Sequence, residues 1–201
     1  LDTAGNVVYT AYKGVDLGTN VLTGPYRESS LRDAYEKALA ANTVDYVAVT
    51  DFSDYQPADE PTAWMVAPVG SPGRAEGVLA LQFPISSINR LMTADQKWEA
   101  AGMGKTGETF LVGPDGLMRS DSRLFLENPE QFKGDVIDAG TPPDVAEDSI
   151  RQDGTTLVQP IETEATRRAQ RGQTGTIIED DYLGHRTLQA YAPVNLDGLN
   201  W

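Results

Sequence analysis

The sequence predicts an α+β chain: two consecutive units, each an antiparallel sheet flanked by helices, with a connecting helix between them. Three observations carry this. Apolar runs face each other across turn residues at several points, as the arms of hairpins do. Leu31, Ala34, Tyr35, Ala38 and Leu39 recur at i, i+3, i+4, i+7 and i+8, one face of a helix. The order of motifs also repeats. Gly5-Asn6-Val7-Val8-Tyr9-Thr10 is matched by Gly116-Leu117-Met118-Arg119-Ser120, and a strand ending at Pro84 by one ending at Pro193. Both pairs of markers stand about 110 residues apart, which reads as a tandem duplication.

In chain order, Asn6–Thr10 is strand-like. Ser30-Leu31-Arg32-Asp33 resembles a capping box, with Asp where Glu or Gln is usual, and opens the helix of the apolar stripe. Tyr46–Thr50 is a short β-rich run, and Asp51–Pro61 a polar loop. Ala63–Val69 and Gly77–Phe83 form a hairpin over Gly70-Ser71-Pro72-Gly73. Ser86 or Ser87 caps a helix carrying Ile88, Leu91 and Met92, which runs on, or restarts at Thr93, through Trp98 to Ala101. Thr109–Gly113 and Leu117–Asp121 make a second hairpin over Pro114-Asp115-Gly116, where Pro presets φ and Gly accepts positive φ. Residues 124–155 read as a long acidic loop with short helical pieces, because Asn128-Pro129, Pro142-Pro143 and Asp153-Gly154 punctuate them. A helix over about Glu162–Arg171 ends at Gly172, and a last hairpin joins Thr176–Asp180 to Arg186–Tyr191.

Composition excludes several functions. The 201 residues carry a net charge of −14, which repels nucleic acid and anionic membrane surfaces. With no cysteine, thiol nucleophiles, disulfides and Cys-ligated metal are impossible. With His185 alone, a multi-His metal site is impossible within the chain, and a Ser-His-Asp triad could only be built around that ring. Gly104-Lys105-Thr106 looks like the end of a phosphate loop. The Gly such a loop needs five places earlier is Glu99, and a strand pattern follows rather than a helix, so a nucleotide site is rejected. No apolar run reaches the ~18 residues of a membrane span. The chain is read as a piece of a longer protein.

"TGETFLVGPDGLMRSDSR" resembles the start of the membrane-proximal module of bacterial double Cache (dCache) sensor domains, and "RGQTGTIIEDDYLGHRTLQAYAPVNLDGLNW" its end. "GNVVYTAYKGVDLGTNVLTGPYRESSL" resembles the beginning of the membrane-distal module, and "VLALQFPISSINRLM" its end and the linker helix. The resemblance implies two PAS-like modules in the periplasmic or extracellular part of a membrane receptor, held between two transmembrane helices. On this reading residues 1–93 are the distal module, 94–103 a linker helix and 104–201 the proximal module. It further implies a homodimer in the intact receptor, with a cytoplasmic cyclase, histidine kinase or chemotaxis output. No cofactor and no catalytic or metal-binding residue is expected in this chain.

In the family the distal module binds the small ligand, between its sheet and a loop. The matching positions here are Tyr46, Asp51, Phe52, Ser53, Tyr55 and Trp64, which combine aromatic walls with a few orienting polar groups. Asp51 is suited to an ammonium. The Arg followed by Trp-Tyr that grips an amino-acid carboxylate in one subset of the family is absent around Trp64, although Arg27 or Arg74 could reach in from other loops. Asp121-Ser122-Arg123 is expected to make local turn bonds or an ion pair. Glu179-Asp180-Asp181 is read as an acidic hairpin tip, and His185 as exposed or packed on Tyr182. An acid hydrolase lacks any fixed pair of carboxylates. The remaining alternative is a ligand-free dimerisation or protein-sensing module.

Overall fold

The computed structural model describes residues 1–201 apart from Asn195 and Asp197. It is a mixed structure of antiparallel sheets and helices in two compact units, one of Leu1–Ile85 and one running from Ser86 to Leu196 that also takes in Trp201.

In the first unit, α1 (Ser30–Ala41) packs on a three-stranded antiparallel sheet of order β1 (Ala48–Val49), β2 (Thr62–Ser71), β3 (Arg74–Pro84). The helical stripe acts as the spacing demands: Leu31, Ala34, Tyr35 and Ala38 are buried against Val66 and Val78 of the sheet. Each large apolar side chain buried this way contributes roughly 1.5–3 kcal/mol. The capping box does not form. Ser29 occupies the N-cap without a side-chain bond, and the Ser30 hydroxyl pairs with that of Ser53 at 2.7 Å. At the other end Asn42 takes left-handed backbone (φ 48) and its amide returns to Leu39. Its side chain donates to the Gly73 carbonyl (2.9 Å) and accepts from the Ala75 amide (3.0 Å), so the helix end is tied to the β2–β3 hairpin tip. The expected strand at Asn6–Thr10 is cut short. Val7 exchanges bonds with Thr19 and Gly18, Asn6 bridges Asn20, and Val8 to Leu17 turn outward as an exposed loop.

The second unit begins with α2 (Ile85–Met92), whose Ser86 onward belong to it. The linker helix expected over 94–103 does not form. Ala94, Asp95 and Gln96 all have positive φ and make a single 3₁₀ turn, and isolated turns follow. Three consecutive residues in the left-handed region cannot continue a right-handed helix. The opposite difference appears at 124–155, where three helices replace the expected loop: α3 (Arg123–Glu127), α4 (Pro129–Asp138) and α5 (Pro143–Arg151). The prolines that look like breakers stand at the first helical position, where the missing N–H costs nothing. Ser122 and Asn128 cap α3 and α4 by accepting the amides of Phe125 and Gln131. Thr163 caps α6 (Glu164–Gln170), and β4 (Gly175–Asp180) pairs antiparallel with β5 (Arg186–Tyr191). The hairpin expected at 109–121 is reduced to one bridge, Val112 to Met118. Met118, Phe125, Phe132, Val136, Ala146, Ile161 and Tyr182 form this unit's core.

Candidate functional site

The sheet of the first unit carries Trp64 inward from β2, fixed by two bonds to Thr50. The Trp64 amide donates to the Thr50 hydroxyl (2.9 Å), and the Thr50 amide to the Trp64 carbonyl (2.8 Å). Tyr55, in the loop before β2, sets its ring edge-on to the indole with centroids 4.9 Å apart. Tyr26 tilts against the other side of Tyr55 at 5.9 Å. Tyr55 and Trp64 are 4% and 5% exposed, and Tyr26 is half-buried.

Two polar features stand inside it. The Tyr55 hydroxyl donates to Oδ2 of Asp16 at 3.0 Å. Burial, then the neighbouring Asp16 carboxylate, push the Tyr55 phenol far above its usual range, so it stays a donor. The indole Nε1–H of Trp64 is buried and has no acceptor among the described residues. Leaving such a donor unpaired costs about 1–3 kcal/mol.

Of the six residues singled out from sequence, Tyr55 and Trp64 touch each other, and Tyr46 packs half-buried on the same core. Ser53 lies at the rim, bridged to Thr62 and bonded to Ser30. Phe52 is buried, and Asp51 accepts from the amide of Phe52 at 2.7 Å, a turn bond that occupies Oδ1. Asp16 and Tyr26 went unrecognised in the sequence. Each lies more than twenty residues from Tyr55 along the chain, and only the fold unites them. Arg27 pairs with Glu28 at 3.2 Å and Arg74 with Glu76 at 3.6 Å; both guanidinium groups are largely exposed.

In the second unit the Asp121-Ser122-Arg123 stretch does more than close a turn. Oδ2 of Asp121 accepts from Nδ2 of Asn89 on α2 at 2.5 Å, and the Asp121 amide donates back to Asn89 Oδ1 at 2.7 Å. Oδ1 of Asp121 accepts from the amides of Thr155 (2.7 Å) and Thr156 (3.2 Å). The Ser122 hydroxyl meets that of Tyr182 at 2.7 Å, and Tyr182 donates to Glu108 at 2.6 Å. Arg123 pairs with Glu127 at 2.9 Å and lies 4.8 Å over the Trp98 ring. Glu179 accepts the first amides of α6, from Glu164 and Ala165. His185 is 58% exposed, with Nε2 3.9 Å from Asp135.

No protein-family model and no curated protein sequence matches the chain. Solved structures do. All of this chain aligns with 69% of the ligand-binding domain of the Pseudomonas aeruginosa amino acid chemoreceptor PctC, solved with GABA, at 18% identity and a TM-score of 0.53. The extracellular domain of mmHK1S-Z3, described as a histidine kinase, aligns over 90% of this chain and 58% of its own length (17% identity, TM-score 0.49). The ligand-binding domain of the Pseudomonas fluorescens chemoreceptor CtaA, solved with L-leucine, aligns over 85% and 56% (13% identity, TM-score 0.46). The chain thus spans between about half and two thirds of the domains it resembles. The chain shares its fold with the PctC ligand-binding domain.

Proposed function

We propose that the chain is the extracytoplasmic sensor region of a membrane receptor, built of a membrane-distal module over residues 1–93 and a membrane-proximal module over 104–201. The distal module binds a small molecule, and the receptor passes the event to a cytoplasmic cyclase, kinase or chemotaxis output, as a homodimer. The observation that carries the reading is the buried Nε1–H of Trp64, without an acceptor among the described residues, in an aromatic cluster whose Tyr55 bonds the half-buried Asp16 carboxylate. Aromatic walls with a few convergent polar groups are the usual make-up of small-ligand pockets. A molecule with an acceptor for Trp64 and an ammonium for Asp16 answers both groups, and GABA in the PctC structure is a molecule of that kind. Of the residues read from sequence, Tyr55 and Trp64 line this site directly, Tyr46 and Ser53 its margin, and Asp51 and Phe52 the loop that carries it.

The test is output from the intact receptor. Trp64→Phe and Asp16→Asn each abolish the response to the ligand while the receptor stays in the membrane at normal abundance. Variants that respond as wild type would sink the reading.

A second reading is a ligand-free dimerisation or protein-sensing module. It is favoured by the near-complete burial of Tyr55 and Trp64, which fill the space themselves. Binding to the isolated chain separates the two.

A further inference from the structure

α2 is the segment by which the chain enters the second unit. Its first residue, Ile85, still belongs to the first unit: the side chain is buried, and the amide donates to the Pro61 carbonyl at 2.9 Å. One turn further on, Asn89 is tied to Asp121 by both ends of its side-chain amide. Nδ2 donates to Oδ2 of Asp121 at 2.5 Å, and Oδ1 accepts from the Asp121 amide at 2.7 Å. The Asp121 carboxylate is held from its other side as well. Its Oδ1 accepts from the amides of Thr155 and Thr156, at 2.7 and 3.2 Å. Asp121 thus stands between α2 and the Thr155–Thr156 segment, with a donor on each oxygen.

The chemistry of this joint fixes its form. A carboxylate only accepts, whereas a carboxamide has one accepting and one donating end. Asn89 therefore fits one way round, with its NH₂ on the carboxylate and its C=O on the backbone amide. The bond to the carboxylate is of the stronger, charge-assisted kind. Little else could hold the helix at this point. α2 has eight residues, too few to be stable alone, and Ile85 is the one buried residue among them. At its far end the Thr109 hydroxyl donates to the Met92 carbonyl at 2.8 Å.

We infer that Asn89 and Asp121 are the coupling pair of this chain, positioning residues that fasten the helix entering from Ile85 onto the fold of the second unit. On the sensor reading above, on which this role rests, an event in the first unit reaches the second through α2 and this pair. The residues of the ligand cluster and the coupling pair are then separate sets, one setting what is bound and the other what is passed on.

The two side chains are nearly equal in size, so their chemistry can be exchanged. Asn89→Asp sets two carboxylates against each other, and Asp121→Asn sets donor against donor whichever way either amide is turned. Asn89→Asp combined with Asp121→Asn restores every bond. The carboxylate at position 89 accepts from the backbone and side-chain amides of position 121, whose side-chain oxygen still accepts from Thr155 and Thr156. In each single variant, amide exchange at Leu91 and Met92 accelerates by at least about tenfold, while Phe132 and Val136 in the core keep the wild-type rate. The combined variant returns to the wild-type rate at all four. In the intact receptor, at unchanged abundance, each single variant shifts the basal output, which needs no known ligand, and the combined variant restores it. Single variants with wild-type exchange in α2, or a combined variant no better than the singles, would overturn the inference. Single variants that loosen α2 and leave the output unchanged would overturn the coupling role alone, because the ligand reading is tested separately at Trp64 and Asp16. If the single variants unfold the whole unit, the combined variant decides: folding and output like the wild type support the pair, and their failure overturns it.

Discussion

The hydroxyl of Tyr55 donates to Oδ2 of Asp16 across 3.0 Å, and this one bond joins the loop before β2 to the loop around Gly14–Gly18. It also sets the polarity of the aromatic cluster, because it leaves a carboxylate beside Tyr55 and a bare indole N–H on its other neighbour, Trp64.

Tyr55→Phe removes the donor and keeps the ring. A hydrogen bond to a charged acceptor contributes about 1.5–3 kcal/mol, reduced here because Asp16 is only half-buried and recovers water. The expected loss is about 1–2 kcal/mol in urea unfolding. A variant as stable as the wild type would mean that the bond does not hold the loops together.

The same burial makes an alkaline prediction. Tyr55, Tyr35 and Tyr182 all have phenols raised above 10 by desolvation first. A group whose folded pKa is raised lends stability that is complete below its unfolded pKa and is lost as pH climbs towards the folded value. Stability is therefore flat up to about pH 9 and falls from pH 10 upward, as the unfolded tyrosines ionise and the folded ones do not. Tyr55→Phe lowers that slope. Equal slopes in the two proteins would contradict the assignment.

Glu108 behaves in the same sense at acid pH. Burial raises its carboxyl above 4.5, against the hydrogen bonds from Tyr182 and the Arg123 amide that lower it. Its contribution is most favourable below pH 4.5 and declines as pH rises through the folded value. Glu108→Gln is expected to abolish this part of the pH dependence, read as the difference in unfolding midpoint between pH 4.5 and 7.5. A variant with an unchanged pH profile would show that Glu108 titrates normally.

Asn42 combines a helix cap with a tether. Asn42→Gly keeps the left-handed backbone but drops both bonds to the hairpin tip, and Asn42→Ala loses the conformational ease as well. The expected losses are about 1 kcal/mol for Gly and about 2 kcal/mol for Ala. The reverse order would mean that the side-chain bonds contribute nothing.

Much of the fold was legible because local chemistry decides it. The stripe from Leu31 to Leu39 and the alternating arms around Gly70–Gly73 each require one structure. The failures have specific causes. Asn128-Pro129 and Pro142-Pro143 carry the same residues whether a turn ends or a helix begins; Asn128 caps its helix by accepting from the Gln131 amide, while Pro142 makes no side-chain cap bond. The helix read through to Ala101 stops because Ala94, Asp95 and Gln96, the three residues after Thr93, turn left-handed. In the proposed site, Tyr55 and Trp64 stand out in the sequence because aromatics in a polar loop and at a strand start are locally conspicuous. Asp16 could not, since nothing in Gly14–Gly18 signals a partner 39 residues on.

The most direct test of the sensor reading is thermal unfolding of this chain with and without GABA, other amino acids and simple amines. A molecule that occupies the cluster at about 100 times its Kd adds roughly 2.7 kcal/mol of stability. The account expects at least one such shift in the wild type and its loss in Trp64→Phe and in Asp16→Asn. A shift that survives both substitutions, or no shift with any compound, would contradict a ligand site built on Trp64 and Asp16.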